Sequence, residues 1–187
     1  MINIVQSDLS LEDFLLLPET KPAQEFVNGK IEPKFMPQGE HSLIQCELVS
    51  RINQIAKPDK IAYAFPELRC TFGGRSLVPD LAVFTWERIP LTAKGKIANR
   101  FEINPDWVIE IEILSPQQSQ TKVLDNLLHC CEYGTQLGWL IVPEEETVLV
   151  IFPEQKIKLF RDNHFLPILK EIELKLTATK IFSWLIV

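Results

Sequence analysis

No pair of cysteines in this 187-residue sequence stands at the C-x-x-C spacing; Cys46, Cys70, Cys130 and Cys131 are scattered along it. That excludes a zinc knuckle and leaves no secreted disulfide framework, so buried reduced thiols are the expected state. His129 beside Cys130 and Cys131 has the composition of a metal cluster, but consecutive helical residues point about 100° apart and cannot converge on one ion. No apolar run approaches the ~20 residues that a bilayer span requires. Met1 to Asp8 also lack the basic start and apolar core of a signal peptide. A cytoplasmic protein with no membrane partner is expected. Positive charge is short as well: Lys and Arg total 19 against 25 Asp and Glu, a formal net charge of -6. Phosphate backbones therefore feel no global attraction, and a nucleic-acid partner needs a local basic patch. Arg69, Arg75, Lys94, Lys96 and Arg100 are the candidates, with scattered solvated charge the competing reading.

What the chain does have is a hydrophobic share of 46%. That suffices for a substantial core, and the length fits one domain spanning 1–187. Ser10 opens a short helix as an N-cap and Pro18 ends it. Apolar residues flanking Asn28-Gly29 predict a hairpin, because both turn positions tolerate positive φ. Ile44, Leu48, Ile52 and Ile55 recur at helical spacing between His41 and Ala56. Alternation from Lys60 to Phe72 predicts strands, Gly73-Gly74 a turn, and Val78 to Phe84 a buried strand entered through Pro79. A polar excursion runs from Trp86 to Phe101. Past Ser119 the pattern is helical to about Gly134, and Gly138–Val142 and Thr147–Phe152 read as buried strands. A further short strand near Lys158–Phe160 and a closing amphipathic segment follow. Strands around a helical crossover indicate a mixed α/β (α+β) domain, one central mixed β-sheet flanked by helices on both faces.

The most unusual stretch is Trp107-Val108-Ile109-Glu110-Ile111-Glu112-Ile113-Leu114-Ser115-Pro116. At strand period, Glu110 and Glu112 share one face with Val108 and Leu114. Like charges on a half-buried surface repel, so such a strand needs a cation, basic side chains or solvent to compensate. Asp80 begins one strand, Glu112 lies near the end of another, and Lys122 follows on the next helix. Two carboxylates holding a hard divalent cation, with a lysine to polarise water or stabilise charge on phosphate, form a minimal site for metal-dependent phosphodiester hydrolysis. The expected ion is Mg2+ (or Mn2+), with the Ile113 backbone carbonyl a further ligand. Glu110 is a second-rank ligand expected to pair with a basic side chain. Glu40, His41 and Glu47 on the first long helix are further candidates, although a solvated helix face accounts for each of them as well. Ser115 has no G-x-S-x-G elbow or assignable Asp-His pair, which argues against a serine hydrolase.

Four segments in order carry a family resemblance: Glu25-Phe26-Val27-Asn28-Gly29-Lys30-Ile31, Val78-Pro79-Asp80-Leu81-Ala82-Val83-Phe84, Glu112-Ile113-Leu114-Ser115-Pro116, and Gly138-Trp139-Leu140-Ile141-Val142-Pro143. From Leu11 to Leu185 the chain resembles the Uma-type family of restriction endonucleases. The resemblance implies a restriction endonuclease-like fold with a PD-(D/E)xK site, DNA as the nucleic-acid partner, and a homodimer. Asp80 falls on the aspartate of Pro-Asp and Glu112 on the acid before Leu-Ser-Pro. The pattern breaks at the lysine, since Leu114 stands two residues after Glu112 and Asn126 stands where many members carry a lysine on the following helix. Lys122, one turn before Asn126, can reach the same face. The alternative is a catalytically degenerate nuclease fold that binds nucleic acid or protein.

Overall fold

The structure is a computed structural model that describes residues 9–112 and 119–186. Helix α1 (Leu11–Leu15) is capped by Ser10, whose hydroxyl accepts the Asp13 N–H at 3.1 Å. Strands β1 (Gln24–Val27) and β2 (Lys30–Pro33) form the hairpin predicted at Asn28-Gly29, where φ is 51° and 79°. Helix α2 (Gly39–Ala56) buries His41, Ile44, Leu48, Ile52 and Ala56 along one stripe. Strands β3 (Ala62–Pro66), β4 (Cys70–Phe72), β5 (Arg75–Leu77) and β6 (Leu81–Thr85) follow. The chain continues through β7 (Trp107–Ile111), α3 (Gln120–Glu132), β8 (Leu137–Val142), β9 (Thr147–Phe152), β10 (Lys156–Phe160) and α4 (Ala178–Phe182).

The strands form two sheets. The larger is mixed, in the order β10-β9-β8-β7-β6-β3, with β7 and β8 parallel across the α3 crossover and its other neighbours antiparallel. The smaller has the order β2-β1-β5-β4 and is antiparallel throughout. The Lys60–Phe72 alternation therefore splits: β3 joins the large sheet and β4 the small one. Period-2 patterning specifies which side chains are buried, and it cannot say against which sheet.

Alternation along β7 explains the layers. Trp107, Ile109 and Ile111 face α2 and α4 in a core with Ile44, Leu48, Ile52, Trp139 and Ile181. Trp107 and Trp139 meet edge to face there, ring centres 4.7 Å apart. Each such buried side chain stabilises the fold by roughly 1.5–3 kcal/mol. Val108, on the opposite face, packs with Val27 and Leu77 of the small sheet and Leu127 of α3. Helices thus cover both faces, and the small sheet shares the Val108 face with α3. The polar Asn53 on α2 donates to the Ala64 carbonyl at 3.0 Å and accepts its N–H at 2.8 Å, securing the edge strand β3.

The thiols depart from expectation in one case: Cys70, Cys130 and Cys131 are buried, but Cys46 is exposed. His129 stacks on Phe72, ring centres 5.4 Å apart. Among the described residues no helix is long and apolar enough to cross a membrane.

Candidate active site

Asp80 sits one residue before β6, with its side chain 2% exposed. Helix α2 fixes it from two positions one turn apart: His41 Nε2 lies 3.0 Å from Oδ2, and Gln45 Nε2 donates to the Asp80 carbonyl at 2.9 Å. Oδ2 also accepts the Ile111 N–H at 2.7 Å, where β6 no longer offers a backbone partner. The other oxygen, Oδ1, faces the Lys34 ammonium at 2.9 Å. Lys34 Nζ is also 3.1 Å from Glu110 Oε2. One ammonium therefore bridges two carboxylates from adjacent strands.

These groups line a cavity of about 310 Å³ bounded by the β1–β2 hairpin, the start of α2, the β6–β7 end and the first turns of α3. Glu25 of β1 is a third acid on its wall, and its Oε1 accepts the Val78 N–H at 2.7 Å. Burial disfavours the charge on every member, and the neighbours decide the outcome. Burial opposes ionisation of Asp80, but Lys34, His41 and the Ile111 N–H together hold its carboxyl well below the usual range. Burial would lower Lys34, yet Asp80, Glu110 and Glu25 outweigh it and keep the ammonium protonated. Glu110 is pushed well up by burial, with the negative charges of Asp80 and Glu25 adding to the effect and Lys34 opposing it. Glu25 is raised in the same way. The acids thus divide into one firmly ionised group and two that resist ionisation.

The structure brings together some of the expected residues and separates others. Asp80, His41, Lys122 and Asn126 line the cavity, and Glu110 pairs with a basic side chain as expected. Glu112 does not line it. β7 ends at Ile111, and the Glu112 N–H donates to the Ile141 carbonyl at 2.8 Å. Burial, with Glu145 and Glu144 nearby, raises the Glu112 carboxyl, while a hydrogen bond from Gln120 opposes the rise. The Ile113 carbonyl lies outside the described residues, as do Leu114, Ser115 and Pro116.

Lys122 stands at the rim, 65% exposed, with Nζ 3.0 Å from Glu32. Asn126 accepts from Arg75 Nη1 at 3.1 Å, and Arg75 Nη2 donates to Asn28 at the same distance, tying the hairpin turn to α3. Glu40 is exposed at the start of α2, and Glu47 pairs with Arg51 at 2.9 Å; neither reaches the cavity. The basic cluster is dispersed. Arg69 is held by Glu19 and Arg75 by Asp125, while Lys94, Lys96 and Arg100 lie exposed in the excursion beyond the far end of β6.

Lys34 and Glu25 carry no mark in the sequence. The only available signal is two charged residues flanking an Asn-Gly hairpin, which reads as a solvated surface until the hairpin docks on Asp80.

The Uma2 family, described as "Putative restriction endonuclease", matches residues 11–179. A crystal structure of "a putative nuclease belonging to DUF820" from Anabaena variabilis ATCC 29413 is 55% identical, with a TM-score of 0.90 over 94% of this chain and 98% of that one. No curated protein matches.

Proposed function

Because this chain belongs to the Uma2 family, we propose that it is a nuclease hydrolysing DNA phosphodiester bonds with the help of a divalent cation held by Asp80 and Glu110. The observation that carries this reading is the buried carboxylate pair at the cavity, bridged by one ammonium at 2.9 and 3.1 Å. The hard carboxylate oxygens of Asp80 and Glu110 on the cavity wall are the donor type that magnesium or manganese takes. Magnesium keeps several waters and takes one or two carboxylates. When bound, such an ion polarises the phosphoryl oxygen and lowers the pKa of a bound water.

The chain's own residues prepare that arrangement. His41 and the Ile111 N–H hold Oδ2, which leaves Oδ1 to Lys34 on the cavity wall. Gln45 fixes the backbone of Asp80, so the carboxylate cannot turn away. Glu110 contributes from the neighbouring strand on the face shared with Val108. Lys122 at the rim is placed to meet a flanking phosphate when Glu32 releases it. The dimer implied by the family resemblance gives one site per strand of a duplex.

Calorimetric titration of Mn2+ into the wild type and Asp80→Ala, alongside nicking of supercoiled plasmid, tests the reading. Saturable binding and metal-dependent nicking are expected in the wild type, with both lost in the variant. Binding that survives Asp80→Ala unchanged sinks the metal site. Binding without cleavage of any nucleic acid instead makes the protein a degenerate nuclease fold.

A further inference from the structure

We propose that Lys34, delivered by the end of the β1–β2 hairpin, is the catalytic lysine of this nuclease; the assignment rests on the nuclease reading above. Two other places for a lysine are filled differently in this chain. Two residues beyond Glu110 stands Glu112, and Lys122 is 65% exposed with its ammonium on Glu32. Lys34 is 19% exposed and touches both acids of the pair.

A purely structural counter-ion also explains a buried lysine between carboxylates, because an acid pair cannot be buried without compensation. Geometry favours the catalytic role. An ammonium has three N–H donors, and Lys34 Nζ meets two carboxylate oxygens, Asp80 Oδ1 at 2.9 Å and Glu110 Oε2 at 3.1 Å. The third N–H remains for the cavity that Lys34 lines. There it holds a water against phosphorus or neutralises a phosphoryl oxygen, and a compact point charge on a flexible stem suits either task. In the step it assists, the water oxygen bonds to phosphorus as the bond from phosphorus to the leaving sugar oxygen breaks. The electron pair departs with that oxygen, which takes a proton from solvent, while the attacking water loses its proton to solvent. Lys34 keeps its own proton throughout.

The test uses the full chain carrying Lys34→Met or Lys34→Gln, with thermal melting, Mn2+ calorimetry, and kcat and KM on supercoiled plasmid. A folded Lys34→Met protein is expected to lose at least about 100-fold in kcat with KM within about threefold. It should bind Mn2+ at least as tightly as the wild type, since no ammonium then faces the ion. Should Lys34→Met fail to fold, Lys34→Gln, which keeps a donor to the carboxylates, is judged by the same criteria; failure of both to fold makes the ammonium structural and overturns the proposal. A folded variant with kcat close to wild type, while Asp80→Ala is inactive, removes Lys34 and leaves the nuclease reading standing. Loss of kcat matched by an equal loss of Mn2+ affinity makes Lys34 a builder of the metal site and also overturns it. A wild type that cuts nothing with Mg2+ or Mn2+ removes both readings together.

Discussion

Two aspartates stand at opposite ends of the antiparallel β6–β7 pair, Asp80 before β6 and Asp106 before β7, and they are almost equally buried, at 2% and 1% exposed. Their surroundings differ in completeness. Asp106 Oδ1 accepts from Arg88 at 2.5 Å and Gln136 at 3.1 Å, and its Oδ2 accepts the Thr85 N–H at 2.8 Å and the Thr85 hydroxyl at 3.0 Å. Every lone pair of consequence is occupied by a short, local partner. Asp80 has one saturated oxygen and one that faces an ammonium, a second acid and a cavity. Burial alone does not distinguish the two; the partners of their oxygens do. The closed carboxylate pins the ends of β6 and β7, and the other lines the cavity beside Lys34.

The largest expected effect tests which acid belongs with the open end. Glu110→Gln should lower plasmid nicking by about 1,000-fold or more, the loss of a group that stabilises the reacting centre. Glu112→Gln should stay within about threefold. Reversal of that order returns the site to the acid before Leu-Ser-Pro. Next comes the closed end. Asp106→Ala removes the acceptor of Arg88 and Gln136 and should destabilise the fold by about 3 kcal/mol, below the upper range for a buried pair because Arg88 is partly exposed. For a chain of this size that is a fall of about 6–12 °C in Tm. A melting curve like that of the wild type breaks the contrast between the two aspartates.

Smaller still is a pH effect with opposite signs at the two acids of the open end. The Glu110 carboxyl is raised in the folded protein by burial and by Asp80 and Glu25. The native state therefore holds its proton more tightly than the unfolded chain, and stability falls as pH rises from 4.5 through the folded value. Asp80 is lowered, so its contribution is present above 3.8 and is lost only as pH falls below that. Urea midpoints of metal-free wild type and Glu110→Gln at pH 5 and pH 8 read the difference. The variant should gain on the wild type at the higher pH, and an unchanged difference refutes the burial of Glu110 as a charged group. The smallest effect is at the rim. Lys122→Met should weaken DNA binding by about threefold, as expected for a single exposed cation, and reduce its salt dependence by about one ion.

Much of this was legible in the sequence because local physics sufficed. Asn28-Gly29 gave its hairpin, the α2 stripe its buried face, and Pro79-Asp80 a buried acid at a strand entry. Glu110 was also legible as an acid in need of a cation. Less legible is where each strand's partners end. Glu110 and Glu112 share a face by periodicity, but β7 ends at Ile111 and Glu112 is not among the residues lining the cavity. Arg69 and Arg75 look like free basic charge in the sequence, and the fold spends both on internal pairs. Lys34 was invisible for a related reason: its partners are on other strands, and no spacing within the hairpin encodes them.

The ion pair from Lys34 to Glu110 joins residues 76 positions apart in the chain and spans the junction of the two sheets. Contacts of that separation close late, after local hairpins and helices have formed. The pair therefore exists only where the hairpin is docked against β7, and Asp80 and Glu110 owe their shared counter-ion to that docking.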